Sequence, residues 1–368
     1  MPSEVRYAGR RRLTLFSFFL VKYLPVEKDL KSKTLAQLER LVTGLGQPKY
    51  IAGYIFSAIQ ARGVNDISAI TTLSKSFRAK LVEEGCYISK LEIVDKLTDP
   101  DGTVKYVFGL SDGGRIESVL LFGDDRQTLC VSTQAGCAMG CVFCATGRLG
   151  LARNLAAGEI VDQVNVVGGD ARISNVVFMG MGEPLANYDA VLDAVRILNN
   201  SAGRHIGIRH LTMSTCGLVE GIERLADEDI QPRLAISLNA PTDAIRQKLM
   251  PVTKKYPLDR LFAAIGRYQR TTRNRVTFEY CLIKGVNDTV LHAQMLVKRL
   301  RGVMCNVNLI EYNPHEGCNL KPSGRQAIER FAGVLKDAGI ETTIRLKMGQ
   351  TINAACGQLG SKRTENLE

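Results

Sequence analysis

Four of the ten cysteines fall between positions 130 and 144: Cys130, Cys137, Cys141 and Cys144. The run Cys137-Ala-Met-Gly-Cys141-Val-Phe-Cys144 has C-x3-C-x2-C spacing. A loop of that form can direct three thiolates at one corner of an iron–sulfur cluster. Three ligands leave the fourth iron of a [4Fe–4S] cluster open to an exogenous group, whereas four thiolates saturate it. A structural zinc site closes with a fourth ligand, and no His or Cys follows at finger spacing. The nearest, Cys130, sits upstream on an apolar strand. Ten cysteines in 368 residues are too dilute for a disulfide scaffold. Their clustering points to metal or thiol chemistry in a reducing compartment, the cytoplasm.

Other residues have chemistry available to them and a blander reading beside it. Gly180-Met-Gly182-Glu183-Pro184 follows an apolar run. Its glycines let a backbone approach a ligand closely, and its carboxylate suits a charge-assisted bond to an ammonium group. The bland reading is a turn with a solvated Glu. Cys130 and Cys356 by spacing alone are buried small hydrophobes, Asn313 fixes a turn, and Glu117 is a solvated carboxylate on a strand.

These residues need elements to hold them. Leu38, Leu41, Val42 and Leu45 recur at helical spacing and stop at Gly46. Pro48 opens a second helix with Ile51, Ile55 and Ile59 on one face, and Leu73, Phe77 and Leu81 mark a third ended by Gly85. From about 90 to 122 the period changes to two, with Asp101-Gly102 and Asp112-Gly113-Gly114 as turns, which predicts an antiparallel meander. Beyond 125, apolar strands at 128–133, 175–180, 210–215, 233–238, 276–283 and 305–311 alternate with helical segments such as 158–167, 187–199 and 289–300. Six strand–helix units predict parallel strands with right-handed crossovers, an α/β fold built on a partial (β/α)6 barrel. The polar and cysteine residues gather after the strand ends, at the C-terminal rim where such barrels do their chemistry. The expected division is an extension over 1–29, a helical accessory domain over 30–88, a meander over 89–124, the barrel over 125–347, and a C-terminal segment over 348–368.

Composition excludes disordered, collagen-like and membrane-spanning classes. Forty-eight Lys+Arg against 37 Asp+Glu give +11, which favours an anionic partner such as nucleic acid. Arg148, Arg153, Arg204, Arg209, Lys254, Lys255, Arg273, Arg275, Arg345 and Lys347 lie near expected strand or loop ends and could track phosphates. Arg10, Arg11 and Arg12 before the apolar stretch 13–21 mimic a signal peptide, yet no small-residue cleavage pattern follows. A variable extension is the better reading.

The triplet, placed after the first barrel strand, is similar to the signature of the radical S-adenosylmethionine (radical SAM) superfamily. Thr128-Leu-Cys-Val-Ser-Thr-Gln, Cys144-Ala-Thr-Gly, Phe178-Met-Gly-Met-Gly-Glu-Pro-Leu185, Arg233-Leu-Ala-Ile-Ser-Leu, Leu309-Ile-Glu-Tyr-Asn-Pro and Ala354-Ala-Cys-Gly-Gln-Leu narrow it. Together they resemble the dual-specificity RNA methyltransferases that act on C2 of adenosine in 23S rRNA and tRNA. The resemblance runs from about residue 33 to 360.

That resemblance implies one [4Fe–4S] cluster on Cys137, Cys141 and Cys144, with S-adenosylmethionine on its open iron and two cofactor molecules used per turnover. It implies cofactor contacts from Gly182, Glu183, Ser214, Ser237, Leu238, Asn239 and Asn313. It implies that Cys356 is methylated by displacement, that hydrogen is then abstracted from its S-methyl group, and that the carbon adds to C2. Cys130 would resolve the adduct through a transient disulfide with Cys356, and Glu117 would accept a proton. Many relatives carry His where this chain has Asn239, so no titrating imidazole is available there. Expected partners are 23S rRNA and tRNA and a flavodoxin- or ferredoxin-type electron donor, with no membrane and a monomeric chain. Cys86, Cys281, Cys305 and Cys318 receive no chemistry, and Cys216 reads as pocket lining. The alternatives are a C8-directed rRNA methyltransferase, disfavoured by Pro184 where that group tends to carry Ala, a radical SAM enzyme on another substrate, and an RNA-binding zinc protein.

Overall fold

The computed structural model describes residues 25–123 and 126–361. The arginine-rich apolar stretch near the N-terminus lies outside them. The chain opens with helices α1 (Leu35–Gly44), α2 (Ile51–Gln60) and α3 (Lys75–Glu83). Thr34 and Gln37 form a capping box on α1, and Ser74 caps α3. Strands β1 (Glu92–Thr98), β2 (Val104–Gly109), β3 (Arg115–Gly123) and β4 (Arg126–Cys130) follow, then a ribbon of β5 (Gln134–Cys137) and β6 (Gly150–Asn154) enclosing α4 (Ala145–Leu149). Next come α5 (Ala157–Val167), β7 (Asn175–Phe178), α6 (Tyr188–Asn199), β8 (Leu211–Thr215), α7 (Val219–Ala226) and β9 (Arg233–Ser237). The chain continues with α8 (Asp243–Leu249), α9 (Leu258–Thr272), β10 (Val276–Leu282), α10 (Val290–Arg299), β11 (Cys305–Glu311), α11 (Arg325–Asp337) and β12 (Thr342–Ile344).

One ten-stranded sheet runs β1-β2-β3-β4-β7-β8-β9-β10-β11-β12. Pairing is antiparallel from β1 to β4 and parallel from β4 onward. The expected α/β partial barrel is therefore present, with six strand–helix units and one further parallel strand, β12. The meander is continuous with the barrel wall, because β3 pairs directly with β4, Val119 opposite Cys130. Strand side chains such as Leu129, Val176, Phe178, Met213, Ile236, Phe278 and Leu309 are wholly buried, Phe278 stacked on Phe262 of α9; removal of such area from water drives closure of the helices over the strands.

The helical bundle docks on the barrel through a buried polar network. Lys31 Nζ reaches Asp162 Oδ1 on α5 at 2.6 Å, and both side chains are buried. The other Asp162 oxygen accepts from the Leu91 amide at 2.7 Å. Ser32 accepts from the Gly158 amide, and Gln60 from Asn165. Every charge that this interface buries is thus paired or hydrogen-bonded.

Candidate active site

The C-terminal ends of the parallel strands open into a cavity lined by residues of the cysteine loop, β7 to β11 and the C-terminal segment. Cys137, Cys141, Cys144, Gly182, Glu183 and Cys356 all line it. The cysteine loop starts from the β5–β6 ribbon, which needs glycine: a Cβ on Gly136, at φ +81°, would stand 2.0 Å from the Gly150 carbonyl oxygen. The loop then turns on itself, with the Cys144 amide donating to the Cys141 carbonyl at 3.1 Å. The Val142 amide ties it to Leu249 at the end of α8, 3.0 Å away. Burial raises the thiol pKa values, Cys137 to about 11, and the mutual proximity of Cys137, Cys141 and Cys144 adds to the rise at Cys141. Among the described residues no three metal-ligating side chains stand close enough together to hold a single metal ion. Thiols that each hold a different iron of a multi-iron cluster need not converge. Three soft donors around one cavity, with polar groups across from them, fit a three-cysteine cluster and an exogenous ligand.

Across from the loop, Glu183 is 3% exposed. Its carboxylate accepts from the Leu185 amide at 3.0 Å and the Cys216 amide at 2.7 Å. Burial nevertheless raises its pKa, so a cationic partner would relieve a real cost. Gly182 is obligatory: its φ is +105°, and a Cβ there would lie 2.6 Å from Gln134 Cβ.

Ser214 and Ser237, at the ends of β8 and β9, face the cavity. Asn239 lines it too, held in the left-handed region at φ 59°. Asn and His are both enriched there among non-glycine residues, a backbone reason why either suits this position. The Asn239 side chain accepts from the Cys281 amide at 2.8 Å and donates to Met250 Sδ at 3.3 Å. Leu238 is wholly buried and does not line the cavity. Asn313 stands outside the lining and donates to the Cys356 carbonyl at 3.2 Å.

Cys356 is solvent-accessible and reaches the cavity because its segment is anchored on both flanks. Upstream, Asp99 accepts from the Thr351 amide and hydroxyl at 2.8 and 2.7 Å, and Asp101 from the Gly349 amide. Downstream, the Ala145 amide donates to the Gly357 carbonyl at 2.7 Å, and the Thr146 hydroxyl to the Leu359 carbonyl at 2.7 Å. Glu117 is no solvated carboxylate: it is buried on β3, accepts from the Gly360 amide at 3.0 Å and lies 3.5 Å from Lys105 Nζ. It does not line the cavity. Cys130 is half-buried at the end of β4 and also stands just outside the lining. Burial pushes its thiol up to about 12, and the Cys356 sulfur adds to that, so the two lie within electrostatic reach. The Arg345 guanidinium opposes the rise at both.

Several of the basic residues that could track phosphates have internal partners. Arg153 pairs with Asp112 and Glu159, Arg275 with Glu341, Arg345 with Glu279, and Lys347 with Glu311. Arg148 donates to the Gly317 carbonyl and Arg204 to Asn165. A residue list cannot reveal carboxylates that the fold brings from elsewhere. Glu279, Cys281 and Tyr312 also line the cavity, and the only sign of it in the sequence is their place near the ends of β10 and β11.

Residues 131–294 match the radical SAM superfamily. The probable dual-specificity RNA methyltransferase RlmN of Alkaliphilus oremlandii is 47% identical over 341 residues, 92% of this chain and 99% of that protein. The dual-specificity RNA methyltransferase RlmN of Syntrophobacter fumaroxidans is 46% identical over 90% of this chain and 97% of its own length. The crystal structure of a radical SAM methyltransferase from Sphaerobacter thermophilus superposes with a TM-score of 0.84 at 44% identity, covering 91% of this chain and 99% of that one. No described helix is long and apolar enough to cross a membrane.

Proposed function

The chain belongs to the radical SAM superfamily and, within it, to the dual-specificity RNA methyltransferases, and from that premise we propose that it carries a methyl-derived carbon on Cys356 to C2 of an adenosine in 23S rRNA and in tRNA. The observation that carries this reading is the placing of Cys356 in the wall of the same cavity as Cys137, Cys141, Cys144 and Glu183. A radical enzyme acting on a small molecule has no need of a further thiol anchored there from a C-terminal segment.

Cys137, Cys141 and Cys144 hold a [4Fe–4S] cluster, and Gly182 and Glu183 receive the ammonium of S-adenosylmethionine, with Ser214, Ser237 and Asn239 completing its pocket. When bound, this pair supplies a carbon radical able to break an unactivated C–H bond. Adenine C2 is electrophilic and would not attack a sulfonium methyl group itself, which is why a protein thiol intervenes. The Cys356 thiol gives up its proton and takes the methyl group by displacement, the sulfonium sulfur–carbon bond breaking as the new sulfur–carbon bond forms. Asn313 and the flanking anchors keep that sulfur at the cavity. Once hydrogen is abstracted from the Cys356 S-methyl group and its carbon has bonded to C2, Glu117, bonded to the amide of Gly360, receives the C2 proton as the adduct gives up one electron. Cys130 gives up its proton and attacks the Cys356 sulfur; the sulfur–carbon bond breaks, the departing carbon takes up a proton to become the methyl group, and a disulfide is left for reduction. Leu238 serves by packing. An electron donor of the flavodoxin or ferredoxin type feeds the cluster, and the chain acts as a monomer on RNA, whose target base must leave its stack to reach the cavity. The domain division that accompanies this reading gives the helical bundle over 30–88 a part in gripping RNA.

Anaerobic reconstitution with S-adenosylmethionine and each RNA, followed by nucleoside analysis, tests the reading. It expects 2-methyladenosine, absent with Cys356→Ala. 8-Methyladenosine, or methylation by that variant, overturns it.

A further inference from the structure

Arg246, on α8, is wholly buried. A guanidinium so placed ordinarily has a carboxylate partner, because an unpaired buried charge costs several kcal/mol. Its hydrogen bonds instead all run to neutral acceptors: the carbonyls of Leu238 at 3.1 Å, Cys216 at 2.5 Å and Ser237 at 3.3 Å, and the Thr253 hydroxyl at 3.1 Å. Asp243, one turn earlier, is within electrostatic reach of the guanidinium but makes no direct contact with it, and one of its oxygens accepts from the Leu258 amide. Arg246 does not line the cavity, so it is no ligand for a bound molecule.

Its surroundings show what its charge faces. The Cys216 peptide stands between two charges, its amide on Glu183 at 2.7 Å and its carbonyl on Arg246. The next helical residues seat the cysteine loop, through the Leu249 carbonyl and the Val142 amide. Met250 and Leu249 pack with Cys216 against Cys141 and Met139.

We propose that Arg246 is the buried counter-charge of the three-cysteine cluster, holding its reduction potential up from behind the cavity wall. The proposal rests on the cluster reading given above. Net charge and hydrogen bonding around a cluster set its potential. Reduction adds one electron, and a cation fixed in a dry wall favours the more negative state. Arg246 is thus a positioning residue for charge and touches neither substrate nor cofactor.

The test is an EPR-monitored redox titration of the reconstituted full chain with Arg246→Gln and Arg246→Lys. Arg246→Gln keeps side-chain amide donors and drops the charge. It is expected to bind wild-type iron while its reduced-to-oxidised ratio at fixed potential falls about tenfold, a midpoint about 59 mV lower for one electron. Arg246→Lys restores most of the shift. Thermal melts give a second reading: Arg246→Gln should lower the melting temperature of the reconstituted protein more than that of the cluster-free protein. A wild-type midpoint in Arg246→Gln overturns the proposal. So does failure of both variants to fold without cluster, which would make the guanidinium a requirement of the fold alone. Stoichiometric zinc without iron in the wild type would instead sink the cluster reading itself.

Discussion

Thr146→Val should loosen the segment that presents Cys356 without unfolding the barrel. Thr146 is 3% exposed, and its hydroxyl is 2.7 Å from the Leu359 carbonyl. Valine fills nearly the same volume and cannot donate. The change therefore leaves a carbonyl at a 5% exposed residue without this donor. Such a loss costs about 1–3 kcal/mol, which at about 1.4 kcal/mol per tenfold raises local opening roughly 5- to 150-fold. The remaining anchors, Ala145 to Gly357 and Gly360 to Glu117, keep the closed form in the majority. Hydrogen exchange should therefore accelerate by that factor at the amides of 357–360 while the amides of β7 to β11 keep their protection. Methylation of RNA should fall by much less than exchange rises, because activity follows the closed population. Unchanged exchange at 357–360, or an equal rise across the barrel strands, would refute the reasoning.

Glu183→Gln removes the charge offered to the ammonium and should weaken S-adenosylmethionine binding to the reconstituted protein about 10- to 100-fold, from a charge-assisted bond of about 1.5–3 kcal/mol, as read by equilibrium dialysis. In the cofactor-free protein the sign reverses. The folded pKa of Glu183 is raised, so its favourable contribution is present below the ordinary glutamate value and is lost as pH rises through the folded value. Glu183→Gln should therefore gain stability relative to wild type over that rise in urea melts. Gly182→Ala meets a strained φ and a 2.6 Å approach to Gln134, together a loss of about 2–6 kcal/mol, visible as a lower urea midpoint. Lys31→Met strands Asp162 in the bundle–barrel interface and should cost about 3–5 kcal/mol, much of it recovered by adding Asp162→Leu; a double variant as unstable as the single would contradict the pairing.

What was legible in the sequence was local. The C-x3-C-x2-C loop, the six parallel strands and the meander declare themselves through spacing and period, and their observed bounds differ from expectation by a few residues. β12 escaped because three residues, Thr342–Ile344, carry no readable period. The meander's second task was equally hidden. Asp99, Asp101 and Glu117 hold a segment some 250 positions away, and nothing in their own neighbourhoods says so. The partners of the basic residues were hidden too: Arg153, Arg275, Arg345 and Lys347 meet carboxylates that only the fold brings to them. Arg246 reads as one more surface arginine on a short helix until its burial is seen.

The central claim is that the carbon delivered to RNA has first resided on Cys356. Reconstituted protein is loaded with methyl-deuterated S-adenosylmethionine, freed of it, and then given RNA with unlabelled cofactor for a single turnover. If the carbon travels through the Cys356 S-methyl group and loses one hydrogen there, the 2-methyladenosine released carries two deuterium atoms. A fully unlabelled methyl group, or one with all three deuterium atoms retained, would contradict the account.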